Sequence, residues 1–215
     1  MDTYMTIVKF FQDGGVFMYP IVVVLTIGLA IVIERWVYLA SAGVNNRRLW
    51  SKLLPLVNSG NYDEANSLAR KSKAAIGNIM AYGLDRTRSA RRRDDIEKAM
   101  EESLLEVVPR LEKRTHYLAT FANIATLLGL LGTIIGLIEA FTAVSAANPA
   151  EKADLLSASI SVAMNTTAFG LMAAIPLLLA HTWLQTKTTE LVDSLEMASV
   201  KFLNTVAERG AVEVA

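Results

Sequence analysis

Cysteine is absent from all 215 residues, which removes disulfides, thiolate zinc sites and thiol nucleophiles in one step. Histidine is nearly as scarce. His116 and His181 lie far apart at the edges of apolar stretches, so an imidazole metal site lacks partners and both read as interfacial residues. Net charge is missing too, because 21 Lys and Arg balance 21 Asp and Glu, and that balance gives nothing to attract nucleic acid. The basic cluster Arg91-Arg92-Arg93 adjoins Asp94 and Asp95 and has no aromatic beside it to stack on a base, so it reads as a solvated turn or a lipid-headgroup contact. The apolar stretches contain no His-Glu-x-x-His, no paired aspartates and no serine with a plausible base. The chain is therefore expected to be no enzyme, to hold no cofactor or metal and to bind no nucleic acid.

What the chain has in excess is hydrophobicity: 53% of its residues are hydrophobic and its mean hydropathy is +0.35, too high for an ordinary soluble domain. Three stretches carry it. A bilayer core of roughly 30 Å needs about 20 helical residues, and residues 16–36, 118–144 and 155–183 each meet that length, with Glu139 the only charge inside the apolar parts of the second and third. A cleaved signal peptide fits the first poorly: the preceding segment holds two acids and only Lys9, and Glu34-Arg35-Trp36 intervenes before Ala40-Ser41-Ala42. The expected fold is thus an all-α integral membrane protein with three transmembrane helices.

Most of the 21 Lys and Arg residues fall between Arg35 and Arg114, whereas the second connection holds only Lys152. The positive-inside rule makes the large segment cytoplasmic. The resulting order is a periplasmic segment 1–15, a first span 16–36, a cytoplasmic helical domain 37–117, a second span 118–144, a periplasmic loop 145–154, a third span 155–183 and a cytoplasmic helix 184–215. Asn61 to Lys73 and Ala74 to Thr87 alternate at helical spacing, Ser59-Gly60-Asn61 reads as a turn, and Asp94-Asp95 suit a helix start. From Asp95 no glycine occurs before Gly129, which predicts one helix of about 50 residues, roughly 75 Å long, running into the second span with a kink at Pro109. Leu191, Leu195, Ala198, Phe202 and Val206 form a stripe beyond the third span, suited either to the chain's own helices or to a seam between copies.

The first span is expected to face lipid. The other two are studded with Gly, Ser, Thr and Asn, residues that let membrane helices approach and hydrogen-bond one another. Thr126, Gly129, Thr133, Gly136 and Ala140 share one face, and Gly132 and Gly136 form a GxxxG pair suited to close packing. Counting from the outer ends, Thr133 and Thr167 both lie about 12–16 Å deep, so their hydroxyls can share one level. Ser157, Ser161 and Asn165 add a polar stripe to the helix that carries Thr166 and Thr167. The candidate ion path is Thr133, Thr167, Asn165, Thr166, Ser161 and Glu139; Gly129, Gly132, Gly136, Gly170 and Pro176 are candidates for helix packing around it.

Two motifs carry a resemblance. Leu128-Gly129-Leu130-Leu131-Gly132-Thr133-Ile134-Ile135-Gly136 resembles the LGLLGTxxG signature of the ExbB/TolQ/MotA ion-channel proteins, and Thr167-Ala168-Phe169-Gly170-Leu171 through Ala174-Ile175-Pro176 resembles their TAxGLxxAIP signature. Ile33-Glu34-Arg35 is similar to the IER that ends their first span, and three spans match the ExbB/TolQ branch better than the four-span MotA stators. The resemblance implies a homopentameric channel whose second and third spans surround the single membrane helices of an ExbD/TolR-like dimer. It also implies that a partner aspartate carries the ion past Thr133 and Thr167, and that a TonB- or TolA-like protein takes up the motion, as in TonB-dependent transport. This chain has no carboxylate at that depth, so a partner must supply one. Val162 stands where many relatives carry a glutamate, five residues before the threonine, which leaves Glu139 as a candidate entry acid and leaves both H+ and Na+ open as the transported ion. A non-conducting membrane scaffold is the alternative.

Overall fold

A computed structural model describes residues 10, 14–87 and 93–214, with side chains described as far as 208. Most of the segment 1–15, together with Ser89, Arg91 and Arg92, lies outside the described residues. The described chain is helical: α1 Met18–Ser59, α2 Tyr62–Lys71, α3 Ala75–Thr87, α4 Arg93–Glu112, α5 Tyr117–Ala146 and α6 Lys152–Val214. Three helical runs, Met18–Ser59, Arg93–Ala146 and Lys152–Glu208, are long and apolar enough to cross a membrane. With the family shown below, they make this a multi-pass membrane protein.

Helix ends follow local chemistry. Pro20 sits in the first turn of α1, where a missing N–H is not needed. At the other end Gly60 takes a left-handed φ of 81°, its N–H donates to the Val57 carbonyl at 3.1 Å, and the Asn61 N–H donates to Leu56 at 2.9 Å. That pair of bonds is a Schellman stop and makes the turn expected at Ser59-Gly60-Asn61. Asp63 and Glu64 open α2, Arg70 and Lys71 close it, and Asp94 and Asp95 open α4, each favourable to the helix dipole.

The run into the second span corrects an expectation. It is two helices, because α4 ends at Glu112 and α5 begins at Tyr117 after a turn in which Arg114 has φ 66°. Pro109 is inside α4 and does not end it. A left-handed non-glycine residue costs roughly 1–2 kcal/mol; Arg114 offsets part of it through an ion pair with Glu34 at 3.0 Å. The connection between the second and third spans is also shorter than 145–154, since only residues 147–151 separate α5 from α6.

The chain divides into two compact units. The first contains Met1–Glu34 and Arg114–Trp183. Its contacts are made by small residues: a Cβ added to Gly28 would lie 2.6 Å from the Leu177 side chain, and one added to Gly136 would lie 2.9 Å from Ala163. Large apolar side chains point outward from all three helices, among them Val23 and Ile27 on α1, Leu127 and Ile134 on α5, and Leu171 and Ile175 on α6. Exposed apolar side chains therefore occur on every span of the single chain.

The second unit contains Arg35–Lys113 and Leu184–Ala215. In it α3 is packed on both sides. Gly77 abuts Leu49 of α1 and the Ala69 carbonyl of α2, while Gly83 abuts Met100 of α4 and Phe202 of α6. Gly43 of α1 meets Leu191 of α6. Leu195, Ala198 and Phe202 are buried, so the stripe beyond the third span is used within the chain's own bundle. Arg35 is 2% exposed; it donates to the Leu111 carbonyl, one of the four that the end of α4 leaves without a helical partner, and its guanidinium lies over Tyr38 at 4.7 Å.

Candidate ion path at the α5–α6 crossing

Glycine sets the distance between α5 and α6. A Cβ on Gly170 would lie 2.7 Å from the Ala125 carbonyl oxygen and 3.0 Å from the Gly129 Cα, and a Cβ on Gly129 would lie 3.2 Å from the Thr167 Cα. Backbone meets backbone here, and only hydrogen atoms fit between. Gly132 receives Thr166 in the same manner, 2.5 Å from its Cγ2. Ala125, Gly129, Gly132 and Ala140 on α5 and Ala163, Gly170, Ala173 and Ala174 on α6 are all buried.

That proximity brings Thr133 and Thr167 together. Their hydroxyl oxygens are in direct hydrogen-bond contact. Thr167 Oγ1 also donates to the Gly129 carbonyl at 2.9 Å, and Thr133 Oγ1 has the Gly129 carbonyl at 3.2 Å and the Ala163 carbonyl at 3.3 Å. Both residues are half-buried at the edge of the seam. Thr126, two turns before Thr133 on the same flank, bonds only to Ala122, four residues back.

The other candidate residues are not gathered around this pair. Thr166 is 2% exposed, and its hydroxyl donates to the Gly14 carbonyl at 2.6 Å and contacts that of Val162 at 3.1 Å. It is a seal between α6 and the segment before α1. One residue along a helix is about 100° of rotation, which turns Thr166 away from Thr167. Asn165 lies about 160° around α6 from Thr167, half-buried, and Ser161 about 120° around, exposed. Glu139 is exposed near the end of α5 and makes no ion pair among the described residues. Pro176 is exposed on α6, which continues through it, and takes no part in the close seam.

Glu34 and Arg35 close the first apolar run. The structure gives each a task within its own unit: Glu34 pairs with Arg114 in the turn before α5, and Arg35 holds the last turn of α4. An arginine directly after an uncharged run of span length was the available signal. Among the described residues no cluster of His, Cys, Asp or Glu is arranged to hold a metal ion.

Comparison with known proteins bears on the same helices. The MotA/TolQ/ExbB proton channel family matches residues 71–197, more than half of the chain. The chain is 26% identical over 194 residues to an ExbB homolog of Methanothermobacter thermautotrophicus, named for biopolymer transport, covering 89% of this chain and 67% of that one. It is 37% identical over 84 residues to the Tol-Pal system protein TolQ of Haemophilus influenzae, covering 39% of this chain and 36% of TolQ. An ExbB-like protein of Synechocystis is 26% identical over 167 residues, 77% of this chain and 79% of that one. With a match of that extent, and with both threonines inside it, the chain belongs to the MotA/TolQ/ExbB proton channel family.

Proposed function

We propose that the chain is an ion-conducting subunit of an inner-membrane motor that couples an ion gradient to work on the cell envelope. In this reading five copies surround the membrane helices of an ExbD/TolR-like dimer, whose aspartate carries the ion, and a TonB- or TolA-like protein receives the motion. The N-terminal segment lies outside and the C-terminal helix in the cytoplasm, consistent with the crowding of Lys and Arg between Arg35 and Arg114.

One observation carries the reading: the hydroxyls of Thr133 and Thr167 meet, on helices that bear no carboxylate at that level. A hydroxyl both donates and accepts, so the pair can meet a carboxylate in either protonation state, or offer oxygen to a sodium ion. Desolvation of a carboxylate in a channel is costly unless donors or water replace its hydration. A hydrogen bond to a charged group contributes about 1.5–3 kcal/mol, roughly ten- to hundredfold in an equilibrium constant.

Replacing Thr133 or Thr167 by Val removes the hydroxyl at nearly constant shape. Ion-driven activity of the complete complex is expected to fall roughly ten- to hundredfold, while a pull-down finds assembly intact and Thr120→Val behaves as wild type. Loss confined to sodium-containing buffer assigns sodium; loss in sodium-free buffer assigns protons. A scaffold reading has its own support, because both hydroxyls already have partners inside the chain. It predicts full activity in both Val variants.

A further inference from the structure

The helical bundle of the second unit has two open grooves that its own packing leaves unfilled. One, of about 500 Å³, runs between α4 and α6, with Met100, Leu104, Leu105 and Val200 as apolar lining and Glu97, Glu101 and Glu196 as charged lining. Leu105 is 73% exposed and Val200 53%, a large apolar surface to leave to water. The other, of about 410 Å³, runs along α1, α2 and the turn after α2, with Leu49 and Leu68 beside Arg48, Lys52, Lys71 and Lys73. Among the described residues, none of these acidic or basic side chains makes an ion pair.

The grooves are opposite in charge and lie on different sides of α3. Gly77 of α3 abuts α1 and α2, and Gly83, about 240° of helical rotation later, abuts α4 and α6. A two-fold pairing would set acid against acid. A head-to-tail arrangement sets acid against base and, repeated, closes into a ring.

Height is matched as well. The chain enters this bundle at Arg35 on α1 and at Leu184 on α6, and the contact between Gly43 and Leu191 puts the two helices in register from those points. At 1.5 Å per residue, Arg48 and Lys52 lie about 20–26 Å along α1, and Glu196 to Leu203 about 18–29 Å along α6. Both faces therefore lie at one level of the bundle.

We propose that the acidic α4–α6 groove of one copy receives the basic α1–α2 face of the next, joining the cytoplasmic bundles head to tail. This rests on the oligomeric reading given above and names the surfaces that make it. Only side chains that face each other across copies need to pair, and the apolar linings supply the contact between them.

The absence of native cysteine makes the test direct. A chain carrying both Lys52→Cys and Glu101→Cys, oxidised in native membranes, is expected to give a ladder of disulfide-linked multimers. Each single variant gives at least tenfold less, and the two single variants expressed together give a linked dimer. Adding Glu97→Lys and Glu196→Lys to the double variant lowers the ladder at least tenfold, and further adding Arg48→Glu and Lys71→Glu restores it. An oligomer in native mass spectrometry that yields no such ladder overturns the docking and leaves the oligomeric reading standing. A strong product from Glu101→Cys alone overturns it also, since the groove then pairs with itself. A monomer in native mass spectrometry overturns both.

Discussion

Alanine at Gly170 adds one methyl group where α5 and α6 touch through their backbones. Its Cβ would lie 2.7 Å from the Ala125 carbonyl oxygen, against about 3.3 Å for an unstrained carbon–oxygen contact. The seam must open by about 0.6 Å to relieve that contact, and neither atom belongs to a side chain that can rotate away. Opening by that amount takes the bond from Thr167 Oγ1 to the Gly129 carbonyl, now 2.9 Å, to about 3.5 Å, the outer limit of a hydrogen bond. Overpacking costs about 1–3 kcal/mol and the weakened bond about 1 kcal/mol. Exchange of glycine for alanine inside a helix returns about 1 kcal/mol. The net expectation is a loss of about 1–3 kcal/mol.

The control is Gly43→Ala in α1, where the added Cβ meets only the tip of Leu191 at 3.2 Å and the helical preference is gained at small steric cost. Both variants are measured by titrating the detergent-solubilised protein with SDS and following helicity. The tight seam predicts that Gly170→Ala unfolds at a lower SDS fraction than wild type, and that Gly43→Ala unfolds at the same fraction or a higher one. Equal or greater stability of Gly170→Ala refutes the backbone contact at this crossing and, with it, the reason that the two threonines meet.

Removal of Arg35 by Met is expected to cost about 1–3 kcal/mol, because the buried Leu111 carbonyl loses its donor. Arg114→Met breaks an ion pair whose side chains are 49% and 45% exposed, so screening by solvent holds its cost to about 1 kcal/mol or less; the same SDS titration ranks the two. For topology, cysteines at Ser194 and Asn148, both exposed, are expected to react with an impermeant maleimide from opposite sides, Ser194 from the cytoplasm. Reaction of Ser194 from outside reverses the proposed orientation.

Features that depend on composition over many residues were legible in the sequence. Three long apolar helices needed only their length, and the approach of Thr133 to Thr167 followed from counting depth along two helices. The break at Arg114 was not legible, because no Gly or Pro marks it and Pro109, the visible signal, lies inside a helix that runs on past it. Its left-handed backbone goes with a contact to Glu34, 80 residues away, which no local pattern encodes. The polar stripe on α6 holds a second long-range contact of this kind. Thr166 was placed by composition alone, and its bond to Gly14, 152 residues away, is encoded by no local pattern. The motif at Glu34 and Arg35 was visible as a pattern, while the carbonyl that Arg35 serves emerges only once α4 is folded.

The Gly129 carbonyl is over-subscribed. Within α5 it belongs to the helical ladder, and it lies within reach of both threonine hydroxyls. An oxygen with two lone pairs cannot serve all three donors equally well, so one hydroxyl is turned toward the other, and the choice can be reversed by rotating two C–O bonds without moving a heavy atom. The pair therefore has two hydrogen-bond orders of opposite polarity. Valine at either position abolishes that reversibility along with one bond, whereas serine keeps it and removes only a methyl group.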